Sequence, residues 1–236
     1  MARKGTTKFA KKQDAADVRI EKWRKYQKFL LIVCEDQNTE PAYFTSFEQF
    51  FPEHTLYLKI VGAGLDPLGV VTKAIDLKNQ LGGLTNREID EVWVVFDKDD
   101  ADLNQTRINR FNTAFLTAAK HHFKLAWSNE VFELWLLLHF VDVNPAISLP
   151  RQQVYQLLKE TVNNRIQPNK IADGHSNPQI IPYLVSHGSE EDAINRAQIL
   201  LQHHGQTHPI AANPATTMHL LVISLRQWIH YYNYQP

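Results

Sequence analysis

The apolar positions of the chain fall first into four short runs, each followed by a polar break and then by a stretch of three- and four-residue periodicity. Phe29-Leu-Leu-Ile-Val-Cys34 is unbroken, Thr55 to Val61 alternates, Glu91-Val-Trp-Val-Val-Phe96 is nearly unbroken, and Lys124 to Ser128 is short. Their lengths and their Val, Ile and aromatic content read as strands, and the unbroken runs as strands buried on both faces of a parallel sheet. After the first run, Asn38 or Thr39 can cap a helix with Pro41 in its first turn, and Tyr43, Phe44, Phe47, Phe50 and Phe51 share one face. A second helix is expected from Pro67 to Gln80, ended by Gly82-Gly83, and a third from Thr106 to His122 with Ile108, Phe111, Phe115 and Ala118 inward. This alternation predicts an α/β fold, a parallel sheet of about four strands with helices on both faces.

Asn129 to Phe140 predicts a helix buried on most sides. Beyond Pro145 the pattern changes to helices at 150–162, 190–202 and 216–232, with a polar stretch between the first two that holds Pro168, Pro178 and Pro182. The organisation expected is a basic arm over 1–28, an α/β core over 29–145 and a helical C-terminal extension over 146–236. No run approaches the roughly 20 apolar residues of a membrane span, and no signal-peptide pattern opens the chain, so the expectation is a cytoplasmic protein with no membrane partner. Cys34 is the one cysteine, which excludes an internal disulfide and a cysteine-based zinc site. The histidines show no zinc spacing.

Charge changes the picture locally. The 25 basic and 25 acidic residues cancel overall, yet residues 1–28 carry ten basic against three acidic, an excess of seven. Lys8, Lys11, Lys12, Arg24 and Lys25 of that arm are therefore candidates for contact with phosphate backbones, the alternative being a solvated tail.

The candidate chemistry lies where the strands stop. The first run ends at Glu35 and the third at Asp97-Lys98-Asp99-Asp100. In open α/β sheets ligands bind outside the carboxyl ends of the strands, so both groups would face one crevice. In an extended chain, positions two apart point to the same face, which would pair Asp97 with Asp99. Two crowded carboxylates repel, and a hard cation such as Mg²⁺ or Mn²⁺ relieves that. Glu35, Asp97 and Asp99 are thus the candidate metal ligands, with Glu35 also free to act as general acid or base. The competing reading is a polar turn in which one Asp caps the next helix. Glu133 stands out as an acid in an apolar surround, and either reaches the same crevice or pairs with a base. His139 reads as a core or helix-end histidine before it reads as a ligand.

These residues carry a resemblance. Glu35 and Asp97-Lys98-Asp99 at strand ends, in this α/β order, resemble the Toprim fold of topoisomerases, primases and OLD-type nucleases. Ile32-Val-Cys-Glu35 with Thr39-Glu-Pro41 and Tyr43-Phe44, Val94-Val-Phe-Asp97-Lys-Asp99, Trp127-Ser-Asn129 with Phe132 to Phe140, and Asn213 to Val222 resemble the RloB-like family of restriction-linked and phage-defence proteins. The resemblance spans nearly the whole chain outside the arm. It implies a Toprim-like sheet and a Mg²⁺- or Mn²⁺-dependent nuclease centre with Glu35, Asp97, Asp99 and Glu133 catalytic, and Lys98 beside the nucleic acid. Ser128, Asn129, His139 and Lys170 would support that centre. It also implies a nucleic-acid substrate, RNA such as tRNA or else DNA, a regulatory or sensor protein as partner in antiphage defence, and room for a homo-oligomer. Two positions depart from the family pattern, Asp36 where a glycine usually follows the glutamate and Glu130 where a proline usually follows the asparagine. The functions to separate are an endonuclease, a non-catalytic binding or regulatory subunit, and a phosphotransferase or nucleotidyl transferase.

Overall fold

The structure is a computed structural model that describes residues 26–165 and 177–234. Five strands form one sheet in the order β2-β1-β3-β4-β5, with β1 Lys28–Cys34, β2 Leu56–Gly62, β3 Glu91–Asp97, β4 Lys124–Asn129 and β5 Ala215–Thr216. The first four are parallel, as their apolar runs foretold, and β5 pairs antiparallel to β4, so the sheet is mixed rather than purely parallel. A two-residue strand carries no periodicity to detect, which is why the sequence suggested about four strands.

Among the described residues the helices are α1 Thr39–Thr45, α2 Pro67–Thr85, α3 Gln105–Lys120, α4 Glu133–Leu138, α5 Arg151–Arg165, α6 Ile180–His187, α7 Glu190–His204 and α8 Met218–Asn233. Alternation along the strands divides the interior in two. Phe29, Leu31, Val33, Val92, Val94 and Phe96 face α2 and α3, where Val70, Val71, Ala74, Phe111, Ala114 and Ala118 meet them. Leu30, Ile32, Cys34, Trp93 and Val95 face the other way, into a larger core with α1, α4 and the buried sides of α5 to α8. The late helices therefore cover one face of the sheet and share its core.

Three helix boundaries moved for physical reasons. The aromatic face after β1 is split between α1 and a short 3₁₀ turn at Glu48–Phe50. Helix α2 runs through Gly82-Gly83 and stops instead at Asn86, whose φ of 49° takes the left-handed turn that glycine usually supplies. The chain from Glu130 to Phe132 precedes α4, because β4 extends to Asn129, leaving a six-residue helix where twelve were expected. The helix α6 was not foreseen within a stretch that reads as polar and proline-punctuated.

The β1–α1 connection is tied down from two directions. The Asp36 carboxylate accepts from the backbone N–H of Gln37 at 2.7 Å and of Thr39 at 2.5 Å, so Asp36 caps α1 rather than Asn38, whose side chain makes no capping bond. Gly62, at the end of β2, allows this loop to lie close, since a Cβ there would meet Asp36 O and Gln37 Cα at 2.6 Å. Glu35 N–H then donates to Val95 O at 2.9 Å, which extends the ladder and brings Glu35 beside the end of β3.

Candidate functional site

The acids gather at the carboxyl edge of β1 and β3, but not in the way the spacing implied. Asp97 continues the β3 face that holds Trp93 and Val95, so it points toward α1 and α4. Glu35 follows the opposite alternation of β1 and lines a cleft with α2 and α3. The two are joined across the edge by a hydrogen bond from Asp97 N–H to Glu35 Oε2 of 2.8 Å. Asp99 does not share the Asp97 face as an extended residue would, because β3 ends at Asp97 and Asp99 takes a left-handed φ of 44°. Its backbone N–H donates to Glu130 O at 3.1 Å, and its side chain, 47 % exposed, opens to the cleft.

A hydrogen bond to a fixed backbone donor orients Asp97, whose Oδ2 accepts from Phe132 N–H at 2.8 Å. Its other oxygen, Oδ1, is enclosed and has no hydrogen-bond partner. Around it stand Glu133, the first residue of α4 and 5 % exposed, and Glu40 of α1, 1 % exposed, whose Oε2 accepts from Asp36 N–H at 3.1 Å. The consequence is electrostatic. Burial, and then the charges of Glu40, Asp99, Glu35 and Glu133, hold the Asp97 carboxyl far above the usual carboxylate range. Burial likewise raises Glu40, with Glu35 the largest neighbouring charge. Glu35 is pushed up to about 8, by burial first, against the lowering bond from Asp97 N–H and with further raising from Asp99, Asp66 and Asp36. Asp99 is raised by burial and by Asp100, Glu133 and Glu130, with Arg151 opposing.

Basic groups frame the acids. Arg151, at the start of α5, lies 3.3 Å from Asp99 and 2.6 Å from Asp100, its backbone N–H donates to Glu130 at 2.9 Å, and its Nε is 3.5 Å from the same carboxylate. Lys98 is buried between Asp102 at 2.7 Å and Glu130 at 3.7 Å, so among its partners it already has two carboxylates. The cleft beside Glu35 and Asp99 has a volume of about 430 Å³, and its other wall carries Arg107 and Arg110. Burial, and then the charges of Glu133, Asp97 and Asp99, raise the phenol of Tyr155 on α5 above its usual range.

The remaining candidates fall elsewhere. Ser128 is in register with Asp97 on β4, but its hydroxyl pairs with Thr216 at 3.0 Å. The Asn129 amide donates to Pro209 O at 2.9 Å and Ile210 O at 3.2 Å and accepts from Asn213 at 3.1 Å. His139 is in the helical core, its Nδ1 2.9 Å from Trp135 O, beside a separate cavity of about 80 Å³ shared with Tyr43 and Arg226. Burial lowers its pKa to about 4, and the ring faces no member of the acid group. Lys8, Lys11, Lys12, Arg24, Lys25 and Lys170 lie outside the described residues. Glu40, Arg151 and Tyr155 escaped the sequence reading. Only Glu40 had a local signal, as an acid in the first turn of a helix that follows an acid-ended strand.

Among the described residues no three His, Cys, Asp or Glu side chains stand together as a metal-holding group. Glu35 and Asp97 each spend an oxygen on a backbone N–H, and Asp99 is paired with Arg151. The donor chemistry does fit a hard divalent cation. Asp97 Oδ1 is a buried carboxylate oxygen without a partner, amid acids that raise one another's pKa, and a cation with oxygen ligands meets both needs. No helix among the described residues is long and apolar enough to cross a membrane.

Comparison with curated proteins and with solved structures returns no match. A sequence model described as RloB-like protein matches residues 30–225, which takes in both acid-bearing strands, the cleft and the helical layer. The chain belongs to the RloB-like family.

Proposed function

We propose that this protein is a Mg²⁺- or Mn²⁺-dependent endonuclease of Toprim type that cleaves nucleic acid, RNA such as tRNA first among the candidates, in antiphage defence. The observation that carries the reading is the 2.8 Å bond from Asp97 N–H to Glu35, which joins the acids of two strands at one sheet edge beside an open cleft. Asp97 and Asp99 would hold the ion, with Glu35 at its margin. When bound, it supplies neutralisation of the phosphodiester and stabilisation of charge on the leaving oxygen.

The chain's own groups do the rest. Glu35, with a pKa of about 8, holds a proton near neutrality that it can give to a leaving oxygen, and in its ionised form it can take one from an attacking water. Phe132 N–H fixes the Asp97 carboxylate, so little reorientation is needed when substrate arrives. Arg151 is placed to meet negative charge that enters near Asp99 and Asp100. The test is purified protein with labelled tRNA, total RNA, and single- and double-stranded DNA, with and without Mn²⁺. Metal-dependent scission that disappears in Asp97→Ala and Glu35→Ala, while the circular dichroism spectrum persists, is the expected result. A full set of intact substrates ends the nuclease reading.

A specific observation favours a second reading, a non-catalytic nucleic-acid- or protein-binding regulatory subunit. Asp99 and Asp100 are both engaged by Arg151, which suits a fold that has replaced a metal with an internal cation. On that reading the same two substitutions leave biological activity unchanged.

A further inference from the structure

Beyond the acids, the cleft has a second wall whose chemistry the nuclease reading leaves unused. Arg107 and Arg110 are three residues apart near the start of α3, so they project from one face of the helix. Both line the cleft that holds Glu35 and Asp99, and their side chains are 50 % and 47 % exposed. Arg107 is 3.7 Å from Asp100. Arg110 forms a two-pronged pair with Asp66, Nε to Oδ2 at 2.5 Å and Nη2 to Oδ1 at 2.7 Å. The same Asp66 Oδ1 accepts from Gly69 N–H at 3.1 Å at the start of α2.

The Asp66 carboxylate thus sits between an arginine fork and a backbone N–H at a helix start, a donor set that also suits a phosphate. We propose that Arg107 and Arg110 form a subsite for backbone phosphates of a nucleic-acid strand, and that Asp66 is an internal anion which that strand displaces from Arg110. The inference rests on the reading of the cleft as a nucleic-acid site. The plain alternative is a surface ion pair that fastens α2 to α3. Exposed pairs of this kind contribute little to stability, so a polyanion can displace Asp66 readily. The acids on the facing wall would repel a strand lying on them without a cation, whereas two arginines a helical turn apart can follow its backbone and carry it past Glu35 and Asp99.

The two readings differ in sign. Removal of the arginines should weaken nucleic-acid binding, and Asp66→Asn should strengthen it, because asparagine keeps the acceptor for Gly69 N–H while it releases Arg110. A fastening ion pair predicts that both changes alter melting temperature and leave binding alone. The experiment is fluorescence anisotropy of labelled 20-nucleotide single-stranded RNA and DNA with full-length protein in EDTA, over a range of salt. For Arg107→Ala/Arg110→Ala the expected result is about a tenfold loss of affinity at low salt. The slope of log K against log salt should shrink by about 1.4, for two phosphates at about 0.7 each. Asp66→Asn should tighten binding about two- to fivefold. Wild-type affinity and slope in the double variant, weaker binding by Asp66→Asn, or no binding by the wild-type protein each overturns the proposal. Scission with Mn²⁺ is scored separately. Arginine-dependent binding without scission sinks the nuclease reading alone, and scission with arginine-independent binding sinks this inference alone.

Discussion

Two ends of the same sheet edge are built from opposite materials. At β4 and β5 the polar groups are neutral and satisfied: Ser128 with Thr216, Asn129 with Pro209, Ile210 and Asn213, and Trp127 N–H with the Thr217 hydroxyl at 2.8 Å. At β1 and β3 they are acidic, crowded and in part unsatisfied, with Asp97 Oδ1 enclosed and without a partner. Both clusters have buried members close together along one edge, Ser128 and Asn129 in one and Glu40 and Glu133 in the other, so burial alone does not separate them. What does is whether each buried polar atom has a use for its charge or lone pair within the chain. A saturated neutral network holds β5 and the 209–217 segment onto the sheet, while an acid cluster raised in pKa by burial and then by its own members is a poor structural device and a good place for something that arrives from outside.

The largest effect should come from breaking the satisfied end. Asn129→Ala leaves Pro209 and Ile210 carbonyls and the Asn213 amide without their partner, which costs about 2 to 3 kcal/mol. Thermal unfolding should shift down by about 5 to 10 °C for a chain of this size. A shift under about 2 °C would mean that the network is not what holds β5 in place.

The acidic end should respond in the reverse sense. Asp97→Asn keeps an oxygen for Phe132 N–H and replaces a carboxyl that burial and its neighbours disfavour in ionised form by a group that is neutral at every pH, so without divalent ions its melting temperature should equal or exceed that of the wild type. Mn²⁺ titration by calorimetry should show affinity lower by about tenfold or more, and Mn²⁺ should stabilise the wild-type protein alone. An unchanged Mn²⁺ isotherm removes Asp97 from the ligands.

How much of this contrast the sequence carries depends on range. The strand runs, and the acids that end them, are local patterns, and β1, β3 and β4 are found within a residue of their expected limits. The convergence of Glu35 with Asp97 follows from parallel pairing of β1 with β3, which strand order alone implies. What was not legible is what one residue's backbone does. The left-handed Asp99 overturned the expectation that it shares a face with Asp97, and the bias of aspartate toward that conformation is too weak to single this one out among its neighbours. Arg151 and Tyr155 are more than 50 residues from Asp97 and on a helix whose pattern speaks only of its buried side, Val154, Leu158 and Val162. His139 was read as a core histidine before a ligand, and it sits at the core, bonded within its own helix.

The pH dependence of stability sharpens the comparison with opposite signs. In the folded state Glu35 binds its proton up to about 8, above the ordinary carboxyl value, so its contribution is complete below pH 4.5 and is lost as pH rises to 8. Asp97, Glu40 and Asp99, all raised, act in the same direction. His139, lowered to about 4, does the reverse, contributing fully above pH 6.5 and losing that contribution as pH falls toward 4. Between pH 6.5 and 8 only the acids remain, so in EDTA the melting temperature should fall across that window, and Glu35→Gln should flatten it. A flat wild-type profile there would mean that the acids are solvated and not crowded.

The smallest effect should come from Arg151, which is paired with Asp99 at the acidic end. Its contacts at 3.3 Å to Asp99 and 2.6 Å to Asp100 hold in place part of the charge balance that a bound ion would otherwise provide. The guanidinium is partly exposed, so each contact is screened and worth no more than about 1 kcal/mol. Arg151→Gln should therefore tighten Mn²⁺ by about two- to fivefold at low ionic strength, with the difference shrinking as salt rises, and should slightly lower the melting temperature without metal. A weaker Mn²⁺ isotherm would reverse the assignment, because it would show that the arginine holds Asp99 ready for the ion instead of standing in for it. The outcome then bears on the regulatory reading as well. If the guanidinium competes with the ion, the acidic end can be switched by whatever draws Arg151 away, and the negative charge of a nucleic-acid strand in the cleft is one such agent.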